Sequence, residues 1–392
     1  MKGRKRLFLI AFSLLSACTP LPVAKGKSAT PAPLYSSAVQ DPGISNRIPV
    51  PAPNDRPVTA RGGVSKIERS KEGLYFAMVD PDQPFRILQL TDVHFSGNEE
   101  VNKRTRNLLA TMISRFRPNL VAVTGDLIWT LSPAGTKGYL KEASKFMNDV
   151  CLQNNCQWAY AFGNHEGGTD GIFTNRDDLS LILSPYRIDQ PNGCLLYEYL
   201  PDDPSKSQWG RFALEFVNRS TQLPLWDFYF LYSGDGQGTS ISQEECIWMG
   251  GMSDAAKYRN QNQDVPAFAF FHIPLQQISD AWNVYESHGW KGSESSGEQD
   301  SAKVLEALKK NDVVATFSGH HHLNNYRTQW PLGNRNLYMY YGRYSGFGAP
   351  YKKTTNLVSD VCPSFQPGCM LIDVNWRERF WTSWEWDAKM GE

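Results

Sequence analysis

From about residue 64 onward, short apolar runs alternate with stretches of helical periodicity. The runs at 85–90 and 120–123 read as strands, and the apolar spacing between them predicts a helix over 101–116. A second helix is predicted over 139–150, followed by strands at 158–162, 228–232 and 267–271. A helix at 301–310 precedes a strand at 313–317, and aromatic-rich strands follow at 337–341, 370–374 and 380–386. No internal repeat is present. Strands alternating with helices predict an α/β body, and the strand-rich second half implies more than one sheet.

Before residue 64 the pattern is different. Lys2, Arg4, Lys5 and Arg6 form a basic start, and the apolar run at 7–15 that follows is too short to span a bilayer. Residues 1–18 therefore read as an export signal. Its end, Leu15-Ser16-Ala17-Cys18, resembles the lipobox of bacterial lipoproteins, in which the cysteine becomes the acylated first residue. That resemblance implies a chain exported and anchored by lipid to the bacterial cell envelope, its membrane contact made through the N-terminus. Residues 19–63, rich in Pro, Ala, Ser and Gly, read as a flexible tether, which leaves 64–392 for the folded unit.

Composition narrows the function. A hydrophobic share of 41% with twelve tryptophans supplies a packed interior and excludes disorder for most of the chain. Lys+Arg and Asp+Glu are 40 each, so no net field draws polyanions to the surface and no nucleic-acid partner is expected. Apart from Cys18 there are six cysteines, which in an oxidising compartment form three bridges. Close spacing makes Cys151–Cys156 and Cys362–Cys369 the simplest expectation and leaves Cys194 with Cys246; buried free thiols are the alternative.

The chemistry collects where strands end, the place at which α/β proteins carry their polar loops. After the first of these strands comes Thr91-Asp92-Val93-His94, after the second Thr124-Gly125-Asp126, and after the third Gly163-Asn164-His165-Glu166. His272-Ile273-Pro274 and Gly319-His320-His321-His322 follow two later strands. Six of the seven histidines fall inside these blocks, and only His288 lies outside, in a polar stretch that reads as a surface loop. Taken singly, Asp-x-His or Gly-Asp reads as a turn. In extended chain, Asp92 and His94 would share a face, as would His320 and His322, with His321 opposite. Together the blocks supply nitrogen and oxygen ligands without thiolate, a set suited to Mn, Fe or Zn.

The five blocks resemble the D-x-H, G-D, G-N-H-[DE], single-His and G-H-x-H motifs of calcineurin-like metallophosphoesterases. Phe230-Leu231-Tyr232-Ser233-Gly234 and Tyr341-Gly342-Arg343 also resemble the purple-acid-phosphatase-like branch. The resemblance implies a four-layer α/β/β/α sandwich of two mixed sheets. It implies two divalent metal ions: Asp92, His94 and His322 would hold the first, Asn164, His272 and His320 the second, with Asp126 between them. His165 would stand by the leaving group, and Glu166 would support it. The implied reaction is hydrolysis of a small phosphorylated substrate, a phosphomonoester first, with a phosphodiester or a nucleotide pyrophosphate as the alternative and a non-catalytic surface binding protein as the third reading. Two departures matter: purple acid phosphatases have Gly where this chain has His94, and their tyrosine ligand falls at Trp129. Tryptophan supplies no phenolate, so the tyrosinate-to-iron colour is expected to be absent and a pair of divalent ions is expected in place of a ferric one; a purple preparation would contradict this.

Overall fold

In the computed structural model, the described residues are 67–388, apart from 71–72, 130–132, 168–175, 199–209, 235–240, 293–301 and 351–355. The export signal, the tether and Cys18 lie outside them. Two mixed sheets form the body. The larger runs in the order β1 (Glu68–Arg69), β2 (Leu74–Val79), β7 (Phe212–Asn218), β8 (Pro224–Phe230), β9 (Ala267–Phe270), β11 (Val313–Ser318), β13 (Arg335–Tyr341), β12 (Asn324–Leu332), β10 (Ser287–Lys291). The smaller runs β15 (Phe380–Asp387), β14 (Gly368–Asn375), β3 (Phe85–Leu90), β4 (Leu120–Thr124), β5 (Gln157–Ala161), β6 (Leu195–Leu196).

Strand parity explains the layering. Successive side chains of a strand point to opposite faces, and here both faces are apolar. Phe85, Ile87, Leu120, Ala122, Ala159 and Ala161 join the core between the sheets. Their neighbours Leu88, Leu90, Val121, Val123, Trp158 and Tyr160 pack outward with the helices Glu99–Phe116 and Pro133–Gln153. On the larger sheet Phe268 and Phe270 face inward, whereas Ala267 and Ala269 pack outward with Met249, Leu305 and Leu308 of two further helices. The result is the expected four-layer α/β/β/α sandwich.

The inner face of the larger sheet carries a row of rings. Phe212, Phe230, Phe270, Phe317 and Tyr340 are cross-strand partners and stack with centroids 4.6, 4.8, 5.0 and 4.8 Å apart. Such pairs fix register as well as adding packing energy. Register here has a functional consequence, because the chain leaves β9 at His272 and β11 at Gly319 on the same level. Across the core, the Gln89 amide donates to Thr124 Oγ1 (3.0 Å) and to the Ser318 carbonyl (3.1 Å), tying the two sheets together next to those strand ends.

Several elements escape the sequence pattern. The stretch around His288, expected as a surface loop, forms strand β10, paired to β12 with His288 opposite Arg327. The helix Gln243–Arg259 buries Glu245, Met249, Ser253 and Ala256, so a half-polar stripe masks its period. Its start is fixed by a reciprocal capping box: Ser242 accepts from the Glu245 backbone while Glu245 accepts from Ser242. Glu245 also accepts from Tyr232 N at 2.8 Å. Burial pushes this carboxyl up from 4.5 to about 7. The unfolded chain ionises first, so stability falls as pH rises from about 4.5 to about 7 and is level above. Glu245→Gln should flatten that part of the curve, an effect of at most about 3 kcal/mol. An unchanged slope of the urea midpoint against pH would refute it.

The cysteines depart from expectation. The six after Cys18 are free thiols, five of them buried. Cys194 packs on the outer face of the smaller sheet and Cys246 on the outer face of the larger, so two sheets separate them and the proposed pair cannot form. Cys362 and Cys369 belong to different clusters. Cys151 and Cys156 share a cluster but are not bridged. Among the described residues, no helix is long and apolar enough to cross a membrane.

Candidate metal centre

The five blocks meet at the same end of both sheets. Asp92, His94, Asp126 and His322 offer ligand atoms within 4.8 Å of one another; Asp126, His272 and His320 do the same, so Asp126 is common to both groups. Asn164 joins the second: its Oδ1 lies 2.9 Å from His272 Nε2 and 2.8 Å from His320 Nδ1. In the first, His94 Nε2 and His322 Nε2 are 2.9 Å apart, and His322 Nε2 is 3.4 Å from Asp92 Oδ1. Asp126 Oδ2 faces His272 Nε2 at 3.0 Å, His165 Nε2 at 3.8 Å and His94 Nε2 at 3.9 Å.

The backbone is bent to achieve this. Asp92, His94, Asp126 and His320 have φ of 51°, 57°, 52° and 79°, a left-handed region that non-glycine residues rarely occupy. Such conformations persist where the surroundings enforce them and concentrate at functional sites. Asp92 and His94 therefore converge through left-handed turns and not through strand alternation. Thr91 Oγ1 donates to Asp92 Oδ2 (2.8 Å), and His320 N donates to both Asp92 oxygens (3.1 and 3.0 Å). The ring nitrogens turned away from the cluster face backbone carbonyls: His272 Nδ1 reaches Thr124 O at 2.8 Å and His322 Nδ1 reaches Pro350 O at 2.7 Å. These contacts make Nδ1 the protonated atom and leave Nε2 free to ligate. Sequence gave no signal for them, since every residue has a carbonyl.

Protonation also suits a cation. Burial favours neutral carboxyls, but the histidines outweigh it: His322 and His94 hold Asp92 well below the carboxylate range, and His272 and His165 do the same for Asp126. Burial pushes His94 down to about 4 and His320 well below its usual value, leaving both imidazoles neutral. Burial also lowers His272, but the Asp126 charge reverses it, to about 9. Ionised carboxylates and neutral imidazoles are the forms that bind metal, and His272 would release its proton on binding. The donor set thus fits divalent ions.

Residues 85–324 match the family of calcineurin-like phosphoesterases. The chain belongs to that family. Two curated relatives from Arabidopsis thaliana are similar to it: probable inactive purple acid phosphatase 28, 25% identical over 279 residues, covering 62% of this chain and 67% of the relative, and probable inactive purple acid phosphatase 29, 23% identical, covering 62% and 68%. Among solved structures, a dimetal phosphatase from Danio rerio is 12% identical, with a TM-score of 0.43 over 74% of this chain and 95% of that one. GAP50, the anchor in the inner membrane complex of Plasmodium, is also 12% identical, with a TM-score of 0.46 over 79% and 86%.

In this chain the last block divides differently from a simple alternation. His320 turns to Asn164, His322 to Asp92 and His94, and His321 places Nδ1 2.7 Å from the Tyr341 hydroxyl. Glu166, expected to support His165, is fully buried and accepts from Gly163 N (2.7 Å), Asp126 N (3.1 Å) and Ile128 N (3.2 Å); these bonds reach backbone and not the His165 ring. Arg343, the last residue of the Tyr341-Gly342-Arg343 stretch, donates to Gln366 O, covers the Phe365 ring at 4.2 Å and pairs with Asp387 at 3.4 Å. Its guanidinium is committed to packing.

Proposed function

We propose that the chain is a dinuclear metal-dependent phosphoesterase that hydrolyses small phosphate esters, phosphomonoesters first. The observation that carries this reading is Asp126, one carboxylate shared by two groups of ligand atoms. Asp92, His94 and His322 would hold one ion, and Asn164, His272 and His320 the other. When bound, a pair of divalent ions, Mn, Fe or Zn, polarises the phosphoryl oxygens and lowers the pKa of water.

The chain's own residues do the rest. Asp126 offsets the repulsion between neighbouring cations, and neutral Asn164 leaves the centre net positive toward an anionic substrate. His165 has a partly exposed side chain (18%), whereas those of His94 and His272 are fully buried, so His165 borders the space a substrate enters. Its backbone N donates to Asp126 Oδ1 at 3.0 Å, which fixes the residue beside the centre. From there its imidazole can protonate a leaving oxygen.

His165→Ala should keep wild-type metal content and lower kcat by about 100- to 10,000-fold. Loss of metal from this variant would instead make His165 a ligand. A panel of aryl phosphates, phosphodiesters and nucleotide pyrophosphates, assayed with Mn(II), Fe(II) or Zn(II), tests the reaction and separates mono- from diester preference. The relatives' names, which call both inactive, favour a second reading: a binding protein that keeps the fold without turnover. Protein that takes up two ions yet hydrolyses nothing on the panel would establish it. Anchorage to the cell envelope is proposed on residues 1–18 alone, supported by the basic start, the apolar run and Cys18. Mass spectrometry of the mature N-terminus decides it, an unmodified Cys18 counting against.

A further inference from the structure

We infer that Glu166 is a positioning residue that sets the distance between the two halves of the metal centre. The inference rests on the dinuclear reading above. The bridging Asp126 sits on the loop after β4 and Asn164 on the loop after β5, so their separation is a loop-to-loop distance. Glu166 spans it. Its Oε2 accepts from Gly163 N on one loop and Asp126 N on the other, and its Oε1 accepts from Ile128 N, two residues further along.

A second bond runs the opposite way. Asp126 Oδ1 accepts from His165 N at 3.0 Å, so each loop supplies a carboxylate to the backbone of the other. This division of labour leaves Asp126 Oδ2 for the centre, where His272, His165 and His94 face it. The loops approach closely at this point: a Cβ added at Gly163 would lie 2.1 Å from Asp126 Oδ1. Removing the Glu166 carboxylate would leave three N–H groups without their acceptor in a fully buried place, a loss the loops can relieve only by moving apart. Chain length matters too. An aspartate, one methylene shorter, cannot reach both Asp126 N and Ile128 N while keeping Gly163 N, and a glutamine turns an NH₂ against a backbone donor.

The test compares wild type, Glu166→Asp, Glu166→Gln and Glu166→Ala as full-length chains. In chelator-treated protein, amide exchange at Asp126, Ile128 and Gly163 should accelerate in Ala and Gln and less in Asp, while amides 268–271 of the core keep wild-type protection. With Mn(II) added, binding of the pair should weaken about 10- to 100-fold in Ala, and the exchange-coupled EPR signal of adjacent Mn(II) ions should shrink in the order Asp, Gln, Ala. Wild-type exchange at those three amides, or a wild-type coupled signal in the Ala variant, would overturn the inference. If the wild type binds no pair of ions, the dinuclear reading fails separately, and slow exchange in the Ala variant still refutes the clamp.

Discussion

Asp126→Asn should break up the metal pair and abolish turnover together, the largest effect expected from any single substitution in this protein. The carboxylate is shared by both ligand groups and its Oδ2 lies 3.0 Å from His272 Nε2. An amide keeps the volume and can still accept from His165 N, so the fold should survive. What disappears is the negative charge that offsets two cations, and in a buried place such a loss is felt at low effective dielectric. Metal content should drop from two equivalents to one or none, and hydrolysis of an aryl phosphate should fall by at least about 1,000-fold, about 4 kcal/mol of transition-state stabilisation. The melting temperature of chelator-treated protein should change little. An Asn variant that retained two ions and normal turnover would end the dinuclear reading.

A single methyl group at Gly163 should do nearly as much. Its Cβ would stand 2.1 Å from Asp126 Oδ1 and 2.4 Å from Asp126 N, contacts that only a displacement of backbone can relieve. The obstacle is a neighbouring loop with its own hydrogen bonds, so the shift would pass to Asp126 and Asn164 together. Gly163→Ala is therefore expected to weaken metal binding and lower turnover at least about 100-fold, because a misplacement of about 1 Å is enough for that. Gly251 provides the control. It lies inside the helix Gln243–Arg259 with nothing within 4 Å of an added Cβ, so Gly251→Ala should gain about 0.5–1 kcal/mol of stability and leave activity alone. Equal activity in the two alanine variants would contradict the close approach at residue 163.

Much of the architecture was legible before any coordinates. The strands that sequence marks clearly, Phe85–Leu90, Leu120–Thr124 and Val313–Ser318, are mostly apolar and buried at every position, because both of their faces are covered. Strands β2 and β7 were missed, as was β12, whose run from Asn324 mixes polar and aromatic residues. Strand β10 is the extreme case. Its residues Ser-His-Gly-Trp-Lys carry no apolar alternation, and it is a strand because the backbone of β12 offers it partners.

The sequence by itself determined the inventory of the site: which oxygens and nitrogens are available, and that each stands at the end of a strand. These are local properties, written in residue type and in the apolar runs that precede each block. Only the tertiary structure decided how the inventory is divided. His94 and His322 are 228 positions apart, yet their ring nitrogens stand 2.9 Å from each other, a contact set by sheet order and register. The same holds for Glu166, whose acceptors serve the backbone of two loops, for Arg343, drawn to Asp387, and for Cys194 and Cys246, parted by two sheets. Residue type specifies what a side chain can bind; which partner lies within reach depends on how distant strands are aligned, and no local pattern encodes that distance.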